Sequence, residues 1–302
     1  MQQASPSRWD WRSSVGPYLY LMPTTVIIVV VYLYPVLQLF RLSTMKVITY
    51  SKTQYVGLAN FKLVLGDDAF RAALLGNAKL LAAVPLLVFL AVVISALLYD
   101  RMRGWRVYRA LVFLPYVLPI PVVGTAFGRM LELNGMINTM LRAVGLDALA
   151  LDWLGDPRIA MFTVLLVIIW KELGFGVVLF LARLLSVRED LYEAARIDGA
   201  NWWQRLRHIS IPELRSVMEF YVILELVTML SWVFSYIYTM TGGGPGNSTQ
   251  VIEFYIYRKM FGIGTGGGHQ MGVAAAVSVL LLILVLILMF VQTAVRRRLS
   301  RA

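Results

Sequence analysis

The sequence predicts an all-α integral membrane protein with six transmembrane helices, and three observations carry that expectation. Of the 302 residues, 59% are hydrophobic and only 15% charged, with a mean hydropathy of +0.71. Six apolar runs reach the roughly 20 residues that a helix needs to cross a hydrocarbon core of about 30 Å. None of them alternates with the period of two expected of a membrane barrel strand, and a spanning backbone must satisfy itself either as a helix or as a closed barrel.

The runs fall near 17–40, 75–99, 107–131, 159–184, 216–240 and 271–294. The first follows a charged lead, Arg8-Trp9-Asp10-Trp11-Arg12, and lacks a small-x-small exit, so it reads as a retained span and not a cleaved signal. Between it and the second run, the segment from Tyr55 to Asn77 reads as a partly amphipathic surface helix bounded by Gly57 and by Gly66-Asp67-Asp68. The third run carries Pro115, Pro119 and Pro121. Each removes a backbone donor and obstructs the preceding turn, so this helix must be kinked or broken, as a path-lining hinge or as a static kink between packed helices.

Lys171 and Glu172 stand near the middle of the fourth run and Glu225 near the middle of the fifth. A charge at that depth costs about 2.5 to 3.5 kcal/mol on insertion scales, so it faces a partner or a polar cavity. Glu225, Thr228, Trp232 and Ser235 recur at helical spacing and predict a face with hydrogen-bonding groups and an aromatic plate, suited to a polyhydroxylated ligand. Glu172 and Phe175 give the fourth run a matching stripe. The competing arrangement is a salt link from Lys171 to Glu172 or Glu225 that only orders the bundle.

Between these two runs lies EAARIDGANWWQRLRHISIP, residues Glu193 to Pro212. Glu193 to Arg196 favours a helix, Ala194 and Ala195 let a partner surface approach, and Gly199 breaks the chain. A second short helix follows, with Trp202, Trp203, Leu206 and Ile209 on an apolar face and Arg205, Arg207 and Arg215 left for water or a partner; Pro212 is expected to end it. Taken alone, this pattern also fits an amphipathic helix lying on a bilayer surface. After the fifth run, Thr239 to Thr249 contains Gly242, Gly243, Gly244 and Pro245 and must turn tightly. His269 precedes the last run, where Gly272 to Ala276 lets another helix approach closely.

The net charge of +11 is not spread evenly. The amino terminus, residues 101–109, residues 183–215 and the tail hold sixteen Lys and Arg, against nine in the longer alternate connections 41–71, 142–158 and 241–269. This asymmetry places both termini and the Glu-Ala-Ala segment in the cytoplasm, and the tail RRRLSR reads as an anchor near anionic lipid; no nucleic-acid partner is expected. The absence of cysteine excludes disulfides, thiolate metal sites and cysteine nucleophiles. No G-x-x-x-x-G-K-S/T motif occurs, so the chain is not expected to hydrolyse ATP. An intramembrane protease is disfavoured because no Gly-x-Ser-Gly turn or histidine falls within a run.

Glu193-Ala194-Ala195, Gly199 and Ile209-x-Ile211-Pro212, at this spacing, resemble the EAA loop of ABC-importer permeases, with Ile211 where Leu is usual. YVGLANFKLVLGDDAFRAALLGN resembles the segment F-V-G-L-x-N-F, D-x-x-F, N-T that precedes the transport core in sugar permeases of the maltose and glycerol-phosphate type, with Ala78 replacing Thr. Asn134-Gly135-x-Ile137-Asn138 and Asp152-Trp153-Leu154-x-Asp156-Pro157 resemble that family's outer loop. Thr241 to Pro245 resembles its T-x-G-G-P turn and, with Tyr255-Ile256-Tyr257, marks one of the two permease types that pair.

The resemblance spans about residues 20–295 and implies an ABC type I importer permease fold in the bacterial inner membrane. It divides the chain into a cytoplasmic lead (1–16), a first helix with an external segment (17–74), a permease core (75–295) holding the coupling loop (186–214), and a basic tail (296–302). It implies a second homologous permease, two ATPase subunits, an extracytoplasmic solute-binding protein and membrane lipid as partners. No cofactor is expected on this chain, with ATP and Mg held by the ATPase. By this resemblance Glu193, Ala194, Ala195, Asp198, Gly199 and Ala200 set the ATPase docking geometry, while Ile209 and Pro212 hold the loop to the fifth span. Glu172, Phe175, Glu225, Thr228 and Trp232 are the expected solute path, and Gly243, Gly244 and Pro245 the external turn. The solute ranges over maltodextrins, other sugars, polyols and glycerol phosphate. The alternative is a stand-alone carrier or channel with Glu172 and Glu225 as coupling sites.

Overall fold

The structure, a computed structural model, describes residues 11–49, 52–100, 103–263 and 270–299. The lead before Trp11, His269 and the last residues of the basic tail lie outside the described residues, as do the side chains of 11–17 and 295–299.

The chain opens with α1 (Trp11–Ile27), a π-helical turn (Ile28–Leu33) and α2 (Tyr34–Ser43). From Tyr18 to Ser43 these form one apolar helix that buries none of its spanning stretch in the rest of the chain, although α2 runs beside the last helix. A short antiparallel hairpin follows, β1 (Met45–Thr49) paired with β2 (Lys52–Tyr55). It adds two strands to an otherwise helical chain, and the sequence reading did not name it. Its composition is mixed and polar, with no clean alternation to announce a strand.

Next come α3 (Ala59–Gly66), α4 (Asp68–Ala82) and α5 (Val84–Tyr99). Gly57, at φ +56°, and Asp67 bound α3 as expected, and Asp67 caps α4 by accepting the Ala69 N–H. The third apolar run is broken, as its prolines require. α6 (Trp105–Val117) and α7 (Ile120–Met130) meet at 97°, with Leu118 and Pro119 extended between them. Pro119 and Pro121 sit at the start of α7, where a missing donor costs little.

After α8 (Met136–Ala143), the fourth span is the continuous α9 (Ala160–Leu184), packed against α5 and α6. Two glycines let neighbouring helices approach it closely. A Cβ on Gly174 would lie 2.4 Å from the Val112 carbonyl oxygen, and one on Gly176 would lie 2.5 Å from the Tyr221 ring.

α10 (Glu189–Ile197) and α11 (Trp202–Arg205) then lead through a π-helical turn, Leu206–Ser210, into α12 (Ile211–Ser231). Pro212 therefore does not end the second short helix. It occupies the first turn of α12, and the wider π turn before it absorbs the lost donor while the helix runs on from Trp202 to Ser231. The fifth span bends by 46° between α12 and α13 (Phe234–Met240). α14 (Ile252–Phe261) and α15 (Met271–Leu299) complete the described chain. Among the described residues four helices are long and apolar enough to cross a membrane, and up to six spans result if each bent pair counts as one. At Gly272 the close approach is by the hairpin, since a Cβ there would meet the Met45 carbonyl oxygen at 2.0 Å.

Candidate functional site

Three groups of residues singled out in the sequence occupy three levels of the bundle. At one end, α10 and α11 form the expected pair of short helices. Gly199 joins them at φ +77°, with no heavy atom within 4 Å of where a Cβ would stand, so glycine is required by the backbone conformation and not by space. Glu193, Ala194, Asp198 and Gly199 are exposed, Ala195, Ala200 and Ile209 are half-buried, and Pro212 is exposed. Ile197, not singled out in the sequence, is 86% exposed at the tip.

The underside of this loop is pinned by residues that sequence reasoning missed. Tyr192 is buried, packs tilted against Tyr99 at 4.8 Å between ring centroids, and places its hydroxyl 3.0 Å from Ser210 Oγ. Arg205 is not free for a partner. It donates to the Ala200 carbonyl at 2.9 Å and reaches Asp100 at the end of α5 at 3.5 Å, because the tight Gly199 turn folds Ala200 back beside it. Trp203 also leaves the predicted apolar face, standing exposed while Leu206 is buried and Trp202 and Ile209 are half-buried. Asn201 and Gln204 close a reciprocal capping box at the start of α11. Arg183 binds both the carboxylate and the carbonyl of Glu213, tying the end of the fourth span to the start of the fifth.

At mid-depth, Lys171, Glu172 and Glu225 are 4%, 6% and 3% exposed. Lys171 Nζ lies 3.4 Å from Glu172 Oε1 and donates to the Tyr116 carbonyl at 3.3 Å. Tyr236 donates its hydroxyl to Glu172 Oε1 at 2.9 Å. Phe175 stacks on Tyr116 with centroids 5.1 Å apart. One lysine serves one carboxylate: Glu225 Oε2 and the Tyr221 hydroxyl, though on neighbouring turns, have no hydrogen-bond partner of normal geometry. The predicted stripe on the fifth span is divided. Helical spacing stops at Ser231, so Glu225 points into the subunit, Thr228 is half-buried, Trp232 at the bend is 63% exposed, and Ser235 belongs to the next piece.

At the opposite end, motifs far apart in sequence converge. Gly243 turns at φ +81° beside Gly244 and Pro245, and Thr249 closes the turn by donating to the Gly244 carbonyl at 2.7 Å. The Gln250 carbonyl oxygen presses on Gly76, where a Cβ would lie 2.0 Å away. Asn77 accepts the Ile252 N–H at 2.8 Å and donates to the Met229 carbonyl at 3.4 Å. Glu253 accepts the Phe234 N–H at 2.9 Å, just past the bend of the fifth span. Burial pushes the Glu253 carboxyl up to about 7, against the pull of the Phe234 and Val233 N–H groups. Burial alone would also raise Asp67, but Lys259, Tyr255 and the Ala69 N–H together hold it below the usual carboxylate value. Among the described residues no group of His, Cys, Asp and Glu is arranged to hold a metal.

A family model described as the binding-protein-dependent transport system inner membrane component matches residues 67–301. The chain is 32% identical over 256 residues to the probable ABC transporter permease protein YurN of Bacillus subtilis, covering 83% of this chain and 87% of that one. It is 30% identical over 266 residues to the trehalose/maltose transport system permease protein MalF of Thermococcus litoralis, covering 86% and 89%. The fold is similar to a chain of a bacterial alginate ABC transporter crystallised with an alginate pentasaccharide-bound periplasmic protein. That match has a TM-score of 0.81 and 22% identity, and covers 97% of this chain and 99% of that one.

Proposed function

Because this chain belongs to the family of binding-protein-dependent transport system inner membrane components, we propose that it is the permease subunit of an ATP-driven importer for a sugar or related polyol. It is a transport component and not an enzyme. One arrangement carries the coupling role: the exposed surface of Glu193, Ala194, Ile197, Asp198 and Gly199 stands on an underside fixed by Tyr192, Leu206 and Ser210. A separate ATPase, holding ATP and Mg, docks there. Moving a two-state transporter from 1:99 to 99:1 takes about 5.5 kcal/mol of differential binding, more than one exposed ion pair supplies, so the loop acts as a whole.

In this reading both termini and the 186–214 loop are cytoplasmic, a second permease completes the path, and a solute-binding protein delivers to the end formed by the Gly243-Gly244-Pro245 turn. The path follows the side of the fifth span with Thr228 and exposed Trp232, and Glu225, Glu172 and Phe175 form its polar and aromatic backing. Sugar specificity is supported by the names of relatives that carry trehalose, maltose and lactose. The test is uptake by the complex reconstituted with its cognate ATPase and second permease. Nucleotide-dependent uptake of a neutral sugar, unaffected by ionophores, is expected; uptake driven by an ion gradient without nucleotide would overturn the reading.

A further inference from the structure

The buried Lys171–Glu172 pair touches both broken spans, and it does so at the breaks. Tyr116 is in the last turn of α6, where carbonyls have no partner within the helix, and Lys171 Nζ donates to that carbonyl while lying 5.1 Å from the Tyr116 ring centroid. Tyr236 is in the first turn of α13, just beyond the bend of the fifth span, and its hydroxyl donates to Glu172. Adjacent residues point to different sides of a helix, which lets Lys171 reach the third span and Glu172 the fifth. Their own 3.4 Å contact closes the chain of Tyr116, Lys171, Glu172 and Tyr236.

The pieces beyond the two breaks also form one body. α7 and α13 pack so closely that a Cβ on Gly124 would lie 1.9 Å from Thr239 Oγ1, and one on Gly128 would lie 3.2 Å from the Thr239 carbonyl oxygen. We infer that Lys171 and Glu172 are positioning residues that fasten the end of α6 and the start of α13 to the fourth span, so that, with α7 packed on α13, the bends of the third and fifth spans change together. A pair that merely filled space would not need to meet a freed carbonyl at one break and a hydroxyl at the other. The inference concerns the chain itself and does not depend on the solute or the ATPase.

The chain has no cysteine, so spin labels can be introduced in pairs without background. Labels at Leu166 with Val122, and at Leu166 with Tyr238, report α7 and α13 against the fourth span from exposed positions. In the full chain in lipid nanodiscs, each pair should give a narrow distance distribution. Tyr236→Phe, which removes one hydroxyl, and Lys171→Met should each broaden both distributions, and the double variant should broaden them no further. Lys171→Arg, which keeps a charged donor, should restore the narrow distributions. Unchanged distributions, broadening confined to the piece nearest each substitution, or additive effects in the double variant would overturn the inference. If Lys171→Met fails to insert, Tyr236→Phe alone decides, since it should still broaden the α7 distribution.

Discussion

The hydroxyl oxygens of Tyr192 and Ser210 lie 3.0 Å apart beneath the 186–214 loop, joining its first helix to the π turn that opens the fifth span. Both residues are buried, and the Tyr192 ring also packs against Tyr99 at the end of α5. α10 is thereby tied to two spans at once, through Tyr99 and through Ser210. Tyr192→Phe keeps the ring contact with Tyr99 and removes only the hydroxyl, at a cost of about 1 kcal/mol for one neutral hydrogen bond. Hydrogen exchange of residues 189–210 should rise several-fold while the membrane helices stay protected. Tyr192→Ala, which also loses the ring contact, should release the loop further; unchanged exchange in both variants would remove Tyr192 from the anchor.

Gly199 makes a sharper prediction because space and conformation separate there. The position is open, so a larger residue meets nothing, yet φ is +77°. Gly199→Asn should be tolerated, since Asn adopts left-handed backbone at small cost, whereas Gly199→Val should strain the turn by about 1 to 3 kcal/mol. Recovery of the ATPase on purification of the complex should follow the order Gly, Asn, Val. Equal loss with Asn and Val would mean that side-chain bulk at a docked surface matters and not the turn.

On the proposed solute path, Trp232 and Glu225 should behave differently because Trp232, at the bend, is exposed while Glu225 is buried. Trp232→Ala removes an exposed plate and should lower sugar uptake while assembly and subunit recovery hold. Glu225→Gln keeps the size and hydrogen-bonding capacity of a buried carboxyl that Lys171 does not pair with, and it should leave assembly intact. Uptake and recovery measured side by side decide this. Loss of assembly with Glu225→Gln would assign that residue to bundle order alone.

Much of this arrangement was legible in the sequence because it depends on local chemistry. The six apolar runs, the break forced by Pro119, the capped start at Asp67 and the glycine turn at Gly199 follow from residues within a turn or two of each other. The rest depends on contacts across 18 to 188 residues, such as Tyr192 with Ser210 and Asp67 with Tyr255, which carry no periodic signal. The stripe from Glu225 to Ser235 shows where spacing misleads. Its period is correct, but the helix stops at Ser231, and nothing local at Ser231 or Trp232 announces a break. The motif positions of the Tyr55–Asn77 segment are explained only when Asp67 is seen to hold Tyr255, and Gly76 and Asn77 to meet Gln250 and Ile252 just after the glycine turn.

Topology is testable with single cysteines at exposed sites of the isolated chain. Ile197→Cys, on the coupling loop, should resist an impermeant thiol reagent applied to intact cells and react after permeabilisation. Val144→Cys, exposed in the 142–158 connection, should react without permeabilisation. The reverse pattern would invert the orientation and end the coupling role of the loop.

Glu253 predicts a pH dependence of the outer cap. Its carboxyl lies at the bend of the fifth span, where burial lifts it from the ordinary 4.5 to about 7 and the N–H groups of Phe234 and Val233 oppose that rise. Between those values the folded cap retains a proton that the unfolded segment has released, so the contribution to stability is complete below about 4.5 and is lost as pH rises through about 7. Protection of the α13 and α14 amides against hydrogen exchange, corrected for the intrinsic rate, should therefore fall between pH 5 and pH 7.5, by an amount set by one proton. Glu253→Gln keeps an acceptor for the Phe234 N–H without a charge, and it should hold protection near the acidic level across the range. A wild-type cap whose protection is flat or rises with pH would show that Glu253 is not the group that titrates at the bend.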